Sequence, residues 1–225
     1  MDDAIEKLLQ KNPRLWRGRS SAPDWQGIAS GYPLLDQHLP GGGWPPYALT
    51  EILLAQYGTG ELKLLMPALA RLSQSNHDAG SAGWIAWVAP PYQPYPPALV
   101  QWGVDISRVL IVRPGKSTEA LWAAEQALSS GNCSAVLLWS NSIDDASSRR
   151  LQLAAEESRS WAIAFRPLDA ARQNSAAALR IRLMPDPRGV ELRVLKSRGG
   201  RPVTLYNVTD DDAGSGIHPD GVNSR

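Results

Sequence analysis

The sequence predicts an α/β fold in which a mostly parallel sheet is flanked by helices. Apolar segments of six to eight residues alternate with longer segments that carry apolar residues at helical spacing. The apolar segments have almost no polar alternation, which is typical of strands covered on both faces. With 225 residues, 43% of them hydrophobic, the chain can bury the core of one such domain and still carry appendages.

The first part of this domain is predicted as alternating strands and helices. The strands are placed at 48–55, 83–90, 109–114, 134–140 and 161–167. The helices are placed at 62–73, in a short stretch ending near Gly103, and at 117–131 and 145–159. Strands that alternate with helices in this way favour parallel pairing.

After residue 178 the apolar period changes from helical to two. Leu179, Ile181 and Leu183 alternate with arginines, and the same alternation returns after a turn at 185–189. This predicts a C-terminal antiparallel hairpin over 178–206 with one wet, basic face. Residues 207–225 have too few apolar side chains for a core, so they are predicted to be disordered.

The N-terminal segment is predicted as a helical arm over 1–16 followed by a linker over 17–31. Ile5, Leu8 and Leu9 recur at helical spacing, and Trp16 lies near the end of the arm. A helix this short is marginal alone, so we expect its apolar stripe to dock either on its own domain or on a partner. The domain itself is predicted to cover 32–206.

Composition excludes several classes of function. Lys and Arg total 23 against 22 Asp and Glu, so the net charge is close to zero and does not favour electrostatic binding to nucleic acid or to a membrane. The single cysteine, Cys133, excludes a disulfide framework, and the three histidines have no metal-ligand spacing. No apolar run approaches the roughly 18 residues that a membrane helix needs. We therefore expect a cytoplasmic protein.

The turn after the first strand resembles a phosphate-binding loop that has lost its chemical groups. Such a loop needs glycines for close backbone approach, a Lys for the phosphates and a Ser or Thr for magnesium. Glu61 and Leu62 stand where the Lys and the Ser or Thr belong, and the strand 135–140 ends without an acidic residue that could hold magnesium. We therefore predict that the chain is not an ATPase and takes no cofactor. The degenerate loop comprises Tyr57, Gly58, Thr59, Gly60 and Glu61.

The C-terminal region concentrates positive charge. From Arg172 to Arg201 there are eight basic residues against Asp186 and Glu191. Such a surface fits DNA phosphates or an acidic partner, and a solvated sheet face with arginines for solubility is the alternative explanation. The candidates for contact are Arg180, Arg182, Arg193, Lys196, Arg198 and Arg201.

Several segments together resemble RecA-like recombinases, and more closely the ImuA family of bacterial mutagenesis proteins. The motifs that carry this resemblance are LPGGGWP (39–45), ALTEIL (48–53), GTGELKLLMPALARLS (58–73), WIAWVAPPYQPY (84–95), 119–139 and RRLQLAAEES (149–158). The departures from recombinases are the degraded loop, Pro91 near the position of the catalytic glutamate, and the short stretch 168–178 where recombinases hold a DNA-binding loop.

The resemblance to ImuA implies a RecA-like core and a non-catalytic accessory subunit of the damage-inducible, error-prone translesion synthesis machinery. Its implied partners are ImuB and RecA, with the polymerase ImuC reached indirectly, and it would contact DNA weakly at the nucleoid after damage. In this setting Ile5, Leu8, Leu9 and Trp16 would anchor the arm on a partner.

Two alternatives remain. SulA, the damage-induced inhibitor that binds the division protein FtsZ, has a similar degraded core and a similar ALTEIL-type strand. The hairpin at 179–206 and the arm at 1–31 favour ImuA over the shorter SulA proteins. The second alternative, a nucleotide-binding regulator, depends on Gly58 and Gly60 alone.

Overall fold

One mixed sheet organises the molecule, and its strands follow the order β3-β2-β4-β5-β1-β6-β7-β8-β9. The computed structural model describes residues 25–74, 83–187, 189–209 and 217–218. Its strands are β1 Leu49–Leu54, β2 Trp84–Val88, β3 Val109–Val112, β4 Cys133–Trp139, β5 Trp161–Pro167, β6 Leu179–Asp186, β7 Gly189–Ser197, β8 Val203–Tyr206 and β9 Ile217–His218. Its helices are α1 Pro33–Asp36, α2 Glu61–Gln74, α3 Pro96–Gln101, α4 Ser117–Ser129 and α5 Asp145–Ser158, with short 3-10 helices at Pro40–Gly42, Ile106–Arg108 and Leu168–Arg172.

The predicted parallel sheet is present from β3 to β6. β1 lies between β5 and β6 and is parallel to both, with Leu49 beside Ala162 and Thr50 beside Leu179. All six residues of β1 are buried, and so are all seven of β4. Burial on both faces explains why these strands have apolar sequences with so little alternation.

Helices cover the two faces of this parallel part and form two separate cores. The larger core combines α2 residues such as Leu65 and Leu69 with Leu99 of α3. The core on the other face takes in Ala124 of α4 and Leu151 of α5. The chain is therefore a three-layered α/β domain over this region.

Tryptophans form much of the larger core. The rings of Trp44 and Trp161 stack with centroids 5.5 Å apart, and Trp139 stacks on Phe165 at 4.5 Å. Trp87 lies against Trp139 at 5.4 Å. At these positions the abundance of tryptophan serves internal packing, where such pairs add about 0.5–1.5 kcal/mol beyond area burial.

The C-terminal hairpin forms as predicted, but it is continuous with the parallel sheet. β6 and β7 are antiparallel, and β8 continues the sheet on the far side of β7. Ile217 and His218 form β9 beside β8, so at these two residues the structure differs from the disorder predicted for 207–225.

The part of the predicted linker that the structure describes belongs to the domain. Ile28 and Trp44 exchange both backbone hydrogen bonds, at 2.8 and 2.7 Å. A Cβ atom added to Gly43 would lie 2.3 Å from the carbonyl oxygen of Ile28, so this approach requires a glycine. The remainder of the linker, 17–24, and the predicted arm lie outside the described residues.

Candidate functional site

The loop between β1 and α2 keeps the backbone shape that its two glycines allow. Gly58 and Gly60 have φ angles of 89° and 99°, values that other residues adopt only with strain. The Thr59 hydroxyl bonds within the loop, where it donates to the carbonyl oxygen of Gln56 at 2.8 Å. The loop is folded on itself.

Glu61 folds its carboxylate back onto this loop. The backbone N–H of Gly58 donates to its Oε1 at 2.8 Å, and the side chain is buried. Its Oε2 is also buried and has no hydrogen-bond partner among the described residues. A carboxylate at this position repels an approaching phosphate and already holds the amide that would bind it.

A polar cavity of about 310 Å³ opens nearby, at the carboxyl ends of the parallel strands. Tyr57, Lys116 and Asn141 line it, and the phenol of Tyr57 lies 3.4 Å from Oδ1 of Asn141. Burial, and secondarily the charge of Glu61, raises the pKa of Tyr57 above its ordinary value. β4 ends here at Trp139 and Ser140, and no Asp or Glu is among the residues lining the cavity.

A charged cluster that the sequence analysis missed lies inside the domain at Glu51. The Oε1 atom of Glu51 is 2.7 Å from Nη1 of Arg166, and its Oε2 is 2.7 Å from Nε of Arg180. The hydroxyl of Ser175 also donates to Oε1 at 2.8 Å. All three charged side chains are buried.

Further oxygens accept from the two arginines, whereas Nε of Arg166 is buried and has no hydrogen-bond partner among the described residues. Arg166 donates to the carbonyl oxygen of Ile143, and Arg180 donates to that of Ala170 at 2.7 Å. Gln173 also accepts from both, through its side-chain oxygen and its backbone oxygen respectively. The cluster therefore ties the stretch 168–178 onto the sheet. The only available sequence signals were the lone charges in LTEILL and WAIAFRP, two otherwise apolar strands.

Arg180 is therefore not on an exposed basic face, and its prediction as a contact for DNA or an acidic partner is wrong. β6 lies inside the sheet, and the stretch 168–178 covers the face that the alternation assigned to solvent. With that face covered, a charged side chain there needs an internal partner, which Glu51 provides.

Three of the other predicted cations have partners nearby. Arg182 pairs with Glu191 across the hairpin, with a distance of 2.6 Å from Nη2 to Oε1. Arg198 lies 3.3 Å from Glu156 of α5. Lys196 donates from Nζ to the carbonyl oxygen of Ser175 at 2.9 Å. The two glutamates offset the charge of Arg182 and Arg198, whereas the carbonyl contact leaves Lys196 charged.

The rest of the basic surface is smaller than its sequence predicts. Arg201 is exposed and Arg193 is partly buried, whereas Arg188 lies outside the described residues. Burial, and then the nearby charges of Arg180 and Arg198, lower the pKa of Lys196. Of the predicted contacts within the described residues, Lys196, Arg198 and Arg201 are exposed, and they form the rim of this surface.

The predicted anchors Ile5, Leu8, Leu9 and Trp16 lie outside the described residues. The described chain starts at Trp25, which lines a cavity of about 430 Å³ together with Tyr47 and Trp161. No helix in the described ranges is both long and apolar enough to cross a bilayer.

Comparison with known proteins identifies a family for the centre of the chain. The family described as "Cell division inhibitor SulA" matches residues 49–162, just over half of the sequence. A cell division inhibitor SulA from Edwardsiella piscicida is 40% identical over 65 residues, which are 29% of this chain and 39% of that protein. The matched region thus spans about two fifths of that relative. The crystal structure of SulA from Pseudomonas aeruginosa is 26% identical and aligns with 52% of this chain and 97% of its own, with a TM-score of 0.43.

Proposed function

The chain belongs to the SulA family, and we propose that it acts without catalysis, by binding another protein during the bacterial response to DNA damage. The observation that carries this proposal is the position of Glu61. Its buried carboxylate accepts the Gly58 N–H in the loop where an ATPase would hold phosphate. A RecA-like core with this loop retains the architecture of an ATPase but lacks the groups for hydrolysis.

The first candidate partner is the division protein FtsZ, which SulA binds when it stops division. The family match supports it, because the matched residues run from β1 to the start of β5 and include the α2, α4 and α5 layers. In this function the chain would delay septation while damage is repaired.

The second candidate function is that of an ImuA-like accessory subunit in error-prone translesion synthesis, with ImuB and RecA as partners. It is favoured by ordered structure outside the family match. On one side of it, Trp44 of the LPGGGWP motif stacks on Trp161. On the other side, β6 pairs directly with β1. Both segments are built into the domain, so the folded unit is larger than the matched region.

Assays with purified proteins distinguish the two functions. The full-length chain is added to FtsZ while light scattering follows polymer assembly, and its binding to immobilised ImuB and RecA is measured in parallel. Loss of FtsZ assembly supports division inhibition. Binding to ImuB or RecA with unaltered FtsZ assembly supports the mutagenesis function. If FtsZ, ImuB and RecA are all unaffected, the proposed function is wrong.

Nucleotide binding is tested separately, through the tryptophan fluorescence of the same preparation titrated with ATP and magnesium. We expect no saturable change, because Glu61 opposes the phosphates. Saturable binding would instead support the nucleotide-binding regulator that Gly58 and Gly60 suggest.

A further inference from the structure

The strand β3 forms one edge of the sheet, with β2 as its neighbour and no described strand on its other side. The carbonyl oxygen of Val112 accepts from the N–H of Ala89 at 2.9 Å, so the polar groups of Val112 point toward β2. The N–H and C=O groups of successive residues point to alternate sides of a strand. The backbone polar groups of Leu110 therefore also point toward β2, whereas those of Val109 and Ile111 point outward. The outer edge of β3 thus offers backbone donors and acceptors to another strand.

The segment from β2 to β3 carries most of the exposed large apolar side chains of the described residues. Among the described residues, seven of the ten large apolar side chains with high exposure lie between positions 84 and 110, in β2, in β3 or in the connection between them. They are Trp84, Tyr92, Tyr95, Val100, Trp102, Ile106 and Leu110. A concentration of this kind is typical of a surface that another protein covers.

The charged residues beside the edge of β3 indicate the charge of the segment that would bind there. Arg108 precedes β3 and Arg113 follows it. Arg113 donates to the side-chain oxygen of Gln93, and Asp105 lies three positions before Arg108. Within the described ranges, the ion pairs found involve neither arginine. A second copy of the chain would bring the same two arginines, so four cations would gather along one short edge. An acidic segment is therefore favoured over self-association.

We propose that β3 binds an extended segment of a partner protein by strand addition, and that this segment has apolar residues bounded by Asp or Glu. Backbone hydrogen bonds to Val109 and Ile111 would provide affinity. Contacts with Leu110, Arg108 and Arg113 would select the sequence. This inference rests on the proposed protein-binding function and names the surface through which that function operates.

The probes are three fluorescent hexapeptides titrated with the full-length chain and followed by anisotropy. The first has the sequence Glu-Val-Leu-Val-Ile-Glu, the second replaces both glutamates with lysine, and the third carries N-methyl groups on alternate amides of the first. We expect the first to bind and the other two to bind at least about tenfold more weakly. Failure of the first peptide to bind, or equal binding of all three, would overturn the inference.

Leu110→Asp and Leu153→Asp form a matched pair of variants. Both residues are exposed leucines, at 45% and 55%, but Leu153 lies on α5, away from the edge. Leu110→Asp should weaken binding of the acidic peptide at least about tenfold, because it removes an apolar contact and repels the glutamates, whereas Leu153→Asp should leave binding unchanged. Equal effects of the two substitutions would contradict an edge site. Combined Arg108→Glu and Arg113→Glu substitutions should reverse the preference toward the lysine peptide.

The same variants separate this inference from the proposed function. If Leu110→Asp binds the partner proteins assayed above with unchanged affinity, the edge site is wrong and the proposed function stands. If the chain binds the acidic peptide but none of those proteins, the proposed function is wrong and the edge site stands.

Discussion

Glu51 of β1 and Arg180 of β6 are register partners on adjacent parallel strands, and they are joined inside the domain by a 2.7 Å contact from Oε2 to Nε. Removal of the Glu51 carboxylate would leave the buried guanidinium groups of Arg166 and Arg180 without their anionic partner. We expect Glu51→Ala to lower the free energy of unfolding by about 3–5 kcal/mol, measured by urea denaturation.

Glu125→Ala is the control for this substitution, because it removes an ion pair at 2.9 Å whose arginine, Arg150, is exposed. Its loss should stay within about 1 kcal/mol. Similar losses in both variants would show that the Glu51 cluster has no special role in stability.

Substitutions at Arg180 and Arg201 should have different effects, one on stability and the other on binding to DNA. Arg180→Ala should destabilise the domain, since Glu51 would lose one of its buried partners. Arg201 is exposed, so Arg201→Ala should leave the urea midpoint unchanged. If the rim contacts DNA, this variant should also reduce the dependence of duplex affinity on salt by about one phosphate contact. Fluorescence anisotropy at several salt concentrations measures this, and a wild-type chain that fails to bind would remove DNA from its partners.

Cys133 should resist alkylation in the folded protein. Burial raises the pKa of its thiol above the ordinary value, so less thiolate is present at a given pH. We expect iodoacetamide at pH 8 to react more slowly with the folded chain than with the chain in urea, because the folded thiol is both buried and less ionised. Mass spectrometry follows the reaction. Equal rates would indicate that the start of β4 opens readily.

Tyr57 should make stability fall at alkaline pH. Its pKa is raised above 10.0 in the folded state, so between the two pKa values the folded state binds more protons than the unfolded state. Stability from this group is therefore complete below about pH 10 and is lost as the pH rises through the folded-state pKa. Urea midpoints from pH 9 to 11 should decline less in Tyr57→Phe than in the wild type. The difference in absorbance at 295 nm between the two proteins reports the titration of Tyr57 itself, and a midpoint at or below pH 10 would contradict the expected shift.

The strands of the parallel sheet could be predicted because burial on two faces requires a nearly continuous run of apolar residues in each strand. β5 was expected at 161–167 and is found there, and β1 and β4 end within one residue of expectation. At α4 the local signal was less complete. The helix was expected to begin at residue 117, and it does, but its N-cap is Lys116, and the Glu119 carboxylate accepts the amides of Gly115 and Lys116.

The charged cluster could not be predicted, because its partners are far apart in sequence. Glu51 and Arg180 are separated by 129 positions, and nothing near either residue signals the other. Alternation on β6 indicated a solvated basic face, but it cannot show whether another segment covers that face. The parallel pairing of β6 with β1 could not be predicted for the same reason. The hairpin pattern identifies β7 as one neighbour of β6, but it does not identify the strand on the other side of β6.

The central position of β1 has a consequence for synthesis on the ribosome. β1 is the first strand of the parallel sheet to be made, yet its contacts with β5 come from residues such as Trp161, 111 positions after Thr50. At 5–20 residues per second, this strand waits on the order of ten seconds for its first neighbour and longer for β6. During that time an apolar strand with two open edges is exposed to other nascent chains, so the yield of folded protein should depend on chaperones and on translation speed.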